Sequence, residues 1–226
     1  MNKVLNYLLL FAFLGSIIIK QTNDGQYEYK KSSAMYTLKN KRPLYLLFPG
    51  LGGQWVGMAK ALMPIKTFAD KINECHEILK PYGIDLRHLL LSDDKNSMSS
   101  MTNKFCATTA IEIALCDVIY ALGITPDGII GHSFGEIAAA YADGALNTRE
   151  AILVTYYRGI VTESDKKIPK GLMAVVGMSW NEAKKLCPKG TNPVCNNGKD
   201  TVVISGMDEP IKPLIVITIS FNYHYF

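Results

Sequence analysis

The residues best suited to do chemistry are Gly131-His132-Ser133-Phe134-Gly135. They match G-x-S-x-G, the nucleophile elbow, a tight turn that carries a serine from the end of a strand to the start of a helix. Glycines two positions before and two after the serine are needed because backbone passes close on both sides. The helix N-terminus favours a developing oxyanion, to which the Phe134 N–H would donate. We interpret Ser133 as a nucleophile; the pattern leaves open an ordinary turn whose serine caps the helix.

A serine nucleophile needs a base within hydrogen-bond reach. The chain has four histidines, at positions 76, 88, 132 and 224. His132 is adjacent to Ser133, so we expect it to point away across the turn and to be structural. His76 falls in a predicted helix and His88 in a loop, both upstream of the serine, and His224 is near the end of the chain. The positions of these four histidines in the sequence therefore do not indicate which residue would act as the base.

Two short apolar runs predict the strands that would position the elbow. Leu44–Phe48 lies between prolines and is followed by the glycine-rich turn "PGLGGQ", and Asp127–Gly131 leads directly into the serine turn. Strand and helix alternate in this region, which predicts the α/β class and a parallel sheet. The spacing of apolar residues predicts helices over Trp55–Met63, Thr67–Leu79, Cys106–Leu122, Phe134–Ala142 and Thr148–Gly159, the last with Thr148 as its N-cap.

The chain divides by composition into five parts. Residues 1–20 contain the apolar run Val4–Ile19, which is similar to a signal or membrane anchor or else is extraneous to the domain. Residues 21–42 are polar and predict a linker. The remaining parts are a large subdomain at 43–170, a smaller β-α-β unit at 171–206 formed by "LMAVVGM", "SWNEAKKL" and "TVVIS", and a divergent tail at 207–226.

The bulk composition narrows the possible functions. The 226 residues are 48% hydrophobic and 19% charged, which is typical of a globular protein. The net charge of +4 comes without a cluster of Lys and Arg interleaved with aromatic residues, so nucleic acid is not an expected partner. The five cysteines form no CxxC pair and no metal-ligand spacing, so we expect reduced thiols and no metal site.

The elbow "GHSFGE" and the turn "FPGLGGQW" together resemble the acyltransferase family that loads malonyl groups onto acyl carrier protein. Within that family the sequence looks most like the malonyl/acetyl transferase domain of animal-type fatty acid synthases. The similarity extends through "TAIEIALCDVIYALGITPDGIIGHSFGEIAAAYADGAL", "EAILVTYYRG", "GLMAVVGMSW" and "VCNNGKDTVVISG", covering roughly Arg42 to Gly206. It implies an α/β acyltransferase fold with a parallel-sheet, hydrolase-like core and a small ferredoxin-like subdomain that is incomplete here.

The resemblance also implies roles for individual residues. Ser133 matches the nucleophile that takes the acyl group, and the backbone N–H groups of Leu51 and Phe134 match the oxyanion hole. Arg158 matches the arginine that pairs with the malonyl carboxylate, a task that suits a guanidinium because it binds a planar carboxylate through two parallel hydrogen bonds. The motif positions taken as structural are Gly131, His132, Gly135, Glu136 and Gln54.

The implied reaction is a ping-pong transfer in fatty acid biosynthesis. Malonyl-CoA or acetyl-CoA would acylate Ser133, and the phosphopantetheine thiol of acyl carrier protein would then accept the acyl group. No bound cofactor is implied, and the expected partners are the carrier protein and the other fatty acid synthase domains. The expected location is the cytoplasm, without membrane contact; the alternative is the secretory pathway or a membrane anchor if Val4–Ile19 is a genuine signal.

The sequence departs from the family after Gly206. The family's catalytic histidine lies in an "FHS"-like context beyond the small subdomain, and His224 lacks that context. We therefore expect an incomplete fragment that is inactive or nearly so, because loss of the base costs a serine enzyme several orders of magnitude in rate. Two other interpretations stay open: an α/β-hydrolase-type esterase or thioesterase, and a non-catalytic remnant that binds acyl-CoA.

Overall fold

The computed structural model describes residues 17–21, 27–31, 42–164, 171–207 and 210–211, and of the first two ranges it describes the backbone alone. The chain forms two compact units, residues 1–164 and residues 165–226. The first unit contains the elbow.

The first described elements of the first unit are two strands. β1 (Ile17–Gln21) and β2 (Tyr27–Lys31) pair in antiparallel orientation. β2 lies inside residues 21–42, the predicted linker, where no strand was expected. The physical reason is that the alternating tyrosines of "YEYKK" favour extended backbone, although the segment is polar as a whole.

A parallel pair of strands follows. β3 (Tyr45–Phe48) and β4 (Gly128–Gly131) are the two strands that the apolar runs predict, and they are adjacent in one sheet. The prediction that both are buried is wrong, because only alternate residues of β3 are buried and no residue of β4 is. At their start, the Leu44 N–H donates to Asp127 Oδ2 at 2.8 Å, and the Asp127 N–H donates to the Leu44 carbonyl at 2.7 Å. Because the strands are parallel, the glycine-rich turn and the elbow both leave the same edge of the sheet.

The helices of the first unit pack around a long central helix. Thr155 Oγ1 donates to Thr109 Oγ1 at 3.1 Å where the last helix crosses the central one. At the same crossing a Cβ on Gly159 would lie 2.6 Å from Thr102 Cα, so only glycine allows this approach. The described helices are α1 (Lys66–Leu79), α2 (Leu86–Leu91), the central α3 (Met101–Ala121), α4 (Glu136–Ala142) and α5 (Thr148–Ser164).

Two helix starts differ from the prediction because of their caps. α3 begins at Met101, five positions before Cys106, since the Ser100 side chain accepts a hydrogen bond from the Asn103 N–H. The predicted cap of α5, Thr148, is instead the first residue of that helix. Its cap is a reciprocal pair: the Asn147 side chain accepts from the Glu150 N–H, and the Glu150 carboxylate accepts from the Asn147 N–H.

The predicted helix Trp55–Met63 is wrong. Residues 56–64 form a succession of turns in place of a regular helix. Gly57 has φ +71°, which interrupts a right-handed helix, and the ring of Pro64 disfavours helical backbone at the residue before it. The predicted helix Thr67–Leu79, by contrast, corresponds to α1.

The described residues of the second unit form a small antiparallel sheet and a helix that follows its first strand. Its elements are β5 (Gly171–Val176), α6 (Trp180–Leu186), β6 (Thr191–Gly198) and β7 (Thr201–Met207), with β7 between the other two strands. The sequence analysis missed β6 because "TNPVCNNG" is polar and contains a proline. The pairing of β6 with β7 is correspondingly irregular at Pro193/Cys195 and Asn196/Gly198.

The predicted apolar N-terminal segment and the divergent tail lie largely outside the described residues. Residues 4–16 of the apolar run Val4–Ile19 and residues 212–226 of the tail lie outside the described residues. Among the described helices, none combines the length and the hydropathy that crossing a membrane requires.

Candidate active site

Ser133 has the backbone geometry of a nucleophile elbow. Its φ is +54°, and in the described part of the chain it is the one residue other than glycine with a positive φ. β4 ends two residues before it, a 3₁₀ turn spans Ser133–Gly135, and α4 starts immediately afterwards. Such strain persists only where surrounding structure holds it, and it is characteristic of functional sites. Ser133 is exposed to solvent.

The two glycines of the motif are fixed by close backbone contacts. A Cβ on Gly131 would lie 2.5 Å from Glu136 Cα, in the first turn of α4. A Cβ on Gly135 would lie 2.2 Å from the carbonyl oxygen of Phe48, at the end of β3. Glu136 itself is exposed at the N-terminus of α4, where a carboxylate complements the helix dipole.

The glycine-rich turn after β3 lies against the elbow. A Cβ on Gly50 would be 3.1 Å from Ser133 Cβ, and the His132 N–H donates to the Phe48 carbonyl at 2.9 Å. Leu51 follows Gly50, and among the described residues its N–H has no hydrogen-bond acceptor. The structure therefore brings the predicted oxyanion donor at position 51 next to the elbow, with its N–H unused.

Gln54 fixes the shape of this turn. Its Oε1 accepts from the Gly52 N–H at 3.0 Å, and its Nε2 donates to Thr108 Oγ1 at 3.0 Å. The first bond closes the turn on itself, and the second attaches it to the central helix α3. Thr108 is a supporting residue that the sequence analysis missed, since in a helical pattern it is indistinguishable from any other polar position.

Arg158 also lies at the elbow, although it comes from α5. Its Cζ is 5.0 Å from the centre of the Phe134 ring. The ring is buried and stacks on Phe105 of α3, with ring centres 4.1 Å apart. Ser133, Leu51, Phe134 and Arg158 thus come from three separate segments of the chain, and their roles in a site stay predictions.

The histidines of the described part do not supply a base. His76 Nδ1 lies 3.7 Å from Asp85 Oδ1, and His88 Nε2 lies 3.8 Å from Asp94 Oδ2, both within the α1–α2 region. His132 is exposed on the elbow, and among the described residues no side chain hydrogen-bonds the Ser133 hydroxyl. His224 lies outside the described residues.

The sequence matches the family described as "Acyl transferase domain" over residues 45–218, which is more than half of the chain. The chain belongs to this family. A highly reducing polyketide synthase of Gibberella moniliformis is 34% identical over 199 residues, which cover 85% of this chain and 8% of the synthase. The chain spans about 7–8% of the length of the first fungal synthases that it matches.

Solved structures give the fold. The acyl transferase domain of SpnD, crystallised with 2-(pent-4-yn-1-yl)malonyl, matches with a TM-score of 0.70 and 26% identity, covering 80% of this chain and 44% of that one. The acyl-carrier-protein S-malonyltransferase of Burkholderia pseudomallei matches with a TM-score of 0.71 and 24% identity, covering 80% and 60%. The expected α/β acyltransferase fold is confirmed.

The family membership favours acyl transfer over the esterase and thioesterase interpretation. The family membership does not show that the domain belongs to a fatty acid synthase, because the fungal relatives reported above are polyketide synthases. The animal-type fatty acid synthase assignment therefore stays a prediction.

Proposed function

We propose that this chain carries the acyl-accepting part of a malonyl transferase site, with Ser133 as the nucleophile. The observation that carries the proposal is the strained φ of +54° at Ser133, with the glycine-rich turn against it and Arg158 over the ring of the next residue, Phe134. A serine held in this way serves covalent acyl transfer, and an arginine at the neighbouring residue suits an acyl group that ends in a carboxylate.

The proposed first half-reaction forms an ester and breaks a thioester. Ser133 Oγ attacks the thioester carbonyl of malonyl-CoA while a base takes its proton. The N–H groups of Leu51 and Phe134 stabilise the oxyanion of the tetrahedral intermediate. The C–S bond then breaks, and coenzyme A leaves as a thiol after taking a proton. In the second half-reaction the phosphopantetheine thiol of a carrier protein attacks the Ser133 ester and regenerates the hydroxyl.

The partners of the reaction follow from this chemistry. No bound cofactor is needed, since coenzyme A thioesters and carrier-bound phosphopantetheine act as donor and acceptor. We keep fatty acid synthesis in a cytoplasmic multidomain synthase as the proposed setting; polyketide assembly is the competing setting, favoured by the fungal relatives. Both settings use the same loading step, so product analysis of the whole synthase separates them.

The rate of loading depends on the base. No described histidine is placed to deprotonate Ser133, so we expect the chain alone to acylate slowly, with the oxyanion hole supplying most of the acceleration. A chain that binds acyl-CoA without ester formation is the second candidate, favoured by the observation that no histidine among the described residues is placed to act as the base.

Intact-mass spectrometry with malonyl-CoA tests the proposal directly. We expect a covalent malonyl adduct that maps to Ser133 and is absent from the Ser133→Ala variant. Replacement of Arg158 by alanine should reduce malonyl loading and leave acetyl loading from acetyl-CoA nearly unchanged. Release of free malonate without an adduct would indicate hydrolysis, and binding of malonyl-CoA without an adduct would indicate the remnant; either result would overturn the transferase proposal.

A further inference from the structure

Phe134 has a second feature besides its backbone N–H. Its ring is 3% exposed, and it belongs to a small apolar cluster with Phe105, Ile137 and Ala151. One side of this ring stacks on Phe105, at an interplanar angle of 29°. The guanidinium of Arg158 lies over the same ring at 5.0 Å, within the distance at which cation–π attraction operates.

This arrangement restrains the guanidinium and leaves its hydrogen-bonding edge available. A cation–π contact requires only that the positive charge lies near the ring, whereas a bidentate carboxylate requires the N–H groups, so one guanidinium can make both contacts. Among the described residues no carboxylate pairs with Arg158. The two acids of α5 are engaged elsewhere: Glu150 caps its own helix, and Glu163 accepts from the Met101 N–H and from Thr102 Oγ1.

We infer that the Phe134 side chain is a positioning residue, which holds Arg158 at the elbow so that the site selects acyl groups bearing a free carboxylate. The inference rests on the proposed function and adds to it a positioning role for the Phe134 side chain. An acetyl group offers the guanidinium no partner. A freely mobile Arg158 could move away from an acetyl group without loss. Because its guanidinium is held over the buried Phe134 ring, moving away would break the cation–π contact and cost free energy.

The test compares the leucine variant Phe134→Leu with the wild-type chain. Leucine keeps the backbone N–H of the oxyanion hole and removes the ring. The rate of Ser133 acylation is measured by intact mass against the concentration of malonyl-CoA and, separately, of acetyl-CoA. We expect the half-saturating malonyl-CoA concentration to rise roughly 3- to 10-fold relative to that of acetyl-CoA, the range of a partly desolvated cation–π contact.

Two further variants distinguish positioning from general damage. Phe68→Leu removes a fully buried ring from the main core of the same unit and should leave the malonyl-to-acetyl ratio unchanged. In an Arg158→Ala background, Phe134→Leu should have no further effect on the ratio, because the ring acts only through the arginine. Thermal unfolding of each variant verifies that it is folded.

The outcomes separate the inference from the function it rests on. A wild-type chain that forms no Ser133 ester overturns the proposed function, and the inference with it. The inference alone is overturned if the wild-type chain forms the ester and Phe134→Leu leaves the half-saturating malonyl-CoA concentration unchanged. It is also overturned if the variant raises the half-saturating concentrations of malonyl-CoA and acetyl-CoA equally.

NMR of the Arg158 side chain adds a readout independent of activity: its Nε–H signal should lose its ring-current shift in Phe134→Leu.

Discussion

Glu112 is an unusual residue for the interior of a helix bundle. It lies in α3 with 8% exposure, and within the described part of the chain neither carboxylate oxygen has a hydrogen-bond partner. Burial raises the pKa of this carboxyl to about 8, because the charged form loses its hydration. The side chain is therefore mainly protonated near neutral pH. A single sequence does not reveal this, since Glu is an ordinary helix residue and its burial depends on packing.

The pH dependence of stability should reveal this group. The unfolded chain releases the proton near the usual pKa of 4.5, whereas the folded chain holds it to about pH 8. The folded state therefore binds more protons in this window, and stability falls as pH rises from about 5 to 8, by roughly 2–4 kcal/mol in total. Glu112→Gln, which is neutral at every pH, should flatten this decline in urea titrations at pH 5, 7 and 9. Parallel curves for the two proteins would show that Glu112 ionises normally.

At the scale of elements, the junction between β3, β4 and α4 depends on glycine. Gly135→Ala would force a Cβ to 2.2 Å from the Phe48 carbonyl oxygen, so strand and helix must separate. We expect a loss of about 2–4 kcal/mol in the free energy of unfolding and loss of Ser133 acylation. Gly53→Ala in the neighbouring turn is the matched control, because its Cβ would meet nothing within 4 Å. Similar melting temperatures for both variants would contradict this account of the elbow.

The elements that the sequence predicts well are those whose own residues determine them. The strands β3 and β4 follow from apolar runs bounded by prolines and glycines, and the elbow follows from the spacing of Gly131, Ser133 and Gly135. Trp55–Met63 shows helical spacing, yet the positive φ of Gly57 overrides it. The stacking of Phe105, Phe134 and Arg158 depends on how three elements pack, so the sequence pattern carries no signal for it.

At the scale of the whole molecule, the parallel pair has one apolar face in solvent. Tyr45, Leu47 and Ile130 are 56%, 64% and 50% exposed. Parallel sheets in stable domains are normally covered on both faces. We name these three residues the open sheet face.

A hydrophobic dye such as ANS should bind the open sheet face. The double variant Leu47→Thr/Ile130→Thr keeps β propensity while removing apolar surface, so dye fluorescence should fall clearly. Leu186→Thr is the control, since Leu186 is equally exposed at 62% but lies in the second unit. An equal fall in dye fluorescence for the double variant and for Leu186→Thr would mean that the dye does not bind specifically to the open sheet face.

The pairing of β3 with β4 also has a consequence for the order of events during folding. Leu44 and Asp127, which join the starts of the two strands, are 83 positions apart. Closing so long a loop is entropically costly and slow unless the intervening helices have already formed. We therefore expect Ser133 to reach its strained conformation only after α1, α2 and α3 have formed and packed. If the reactivity of the Ser133 hydroxyl is followed during refolding, it should appear later than the signals of helix formation. Its appearance would report the completion of folding of the first unit.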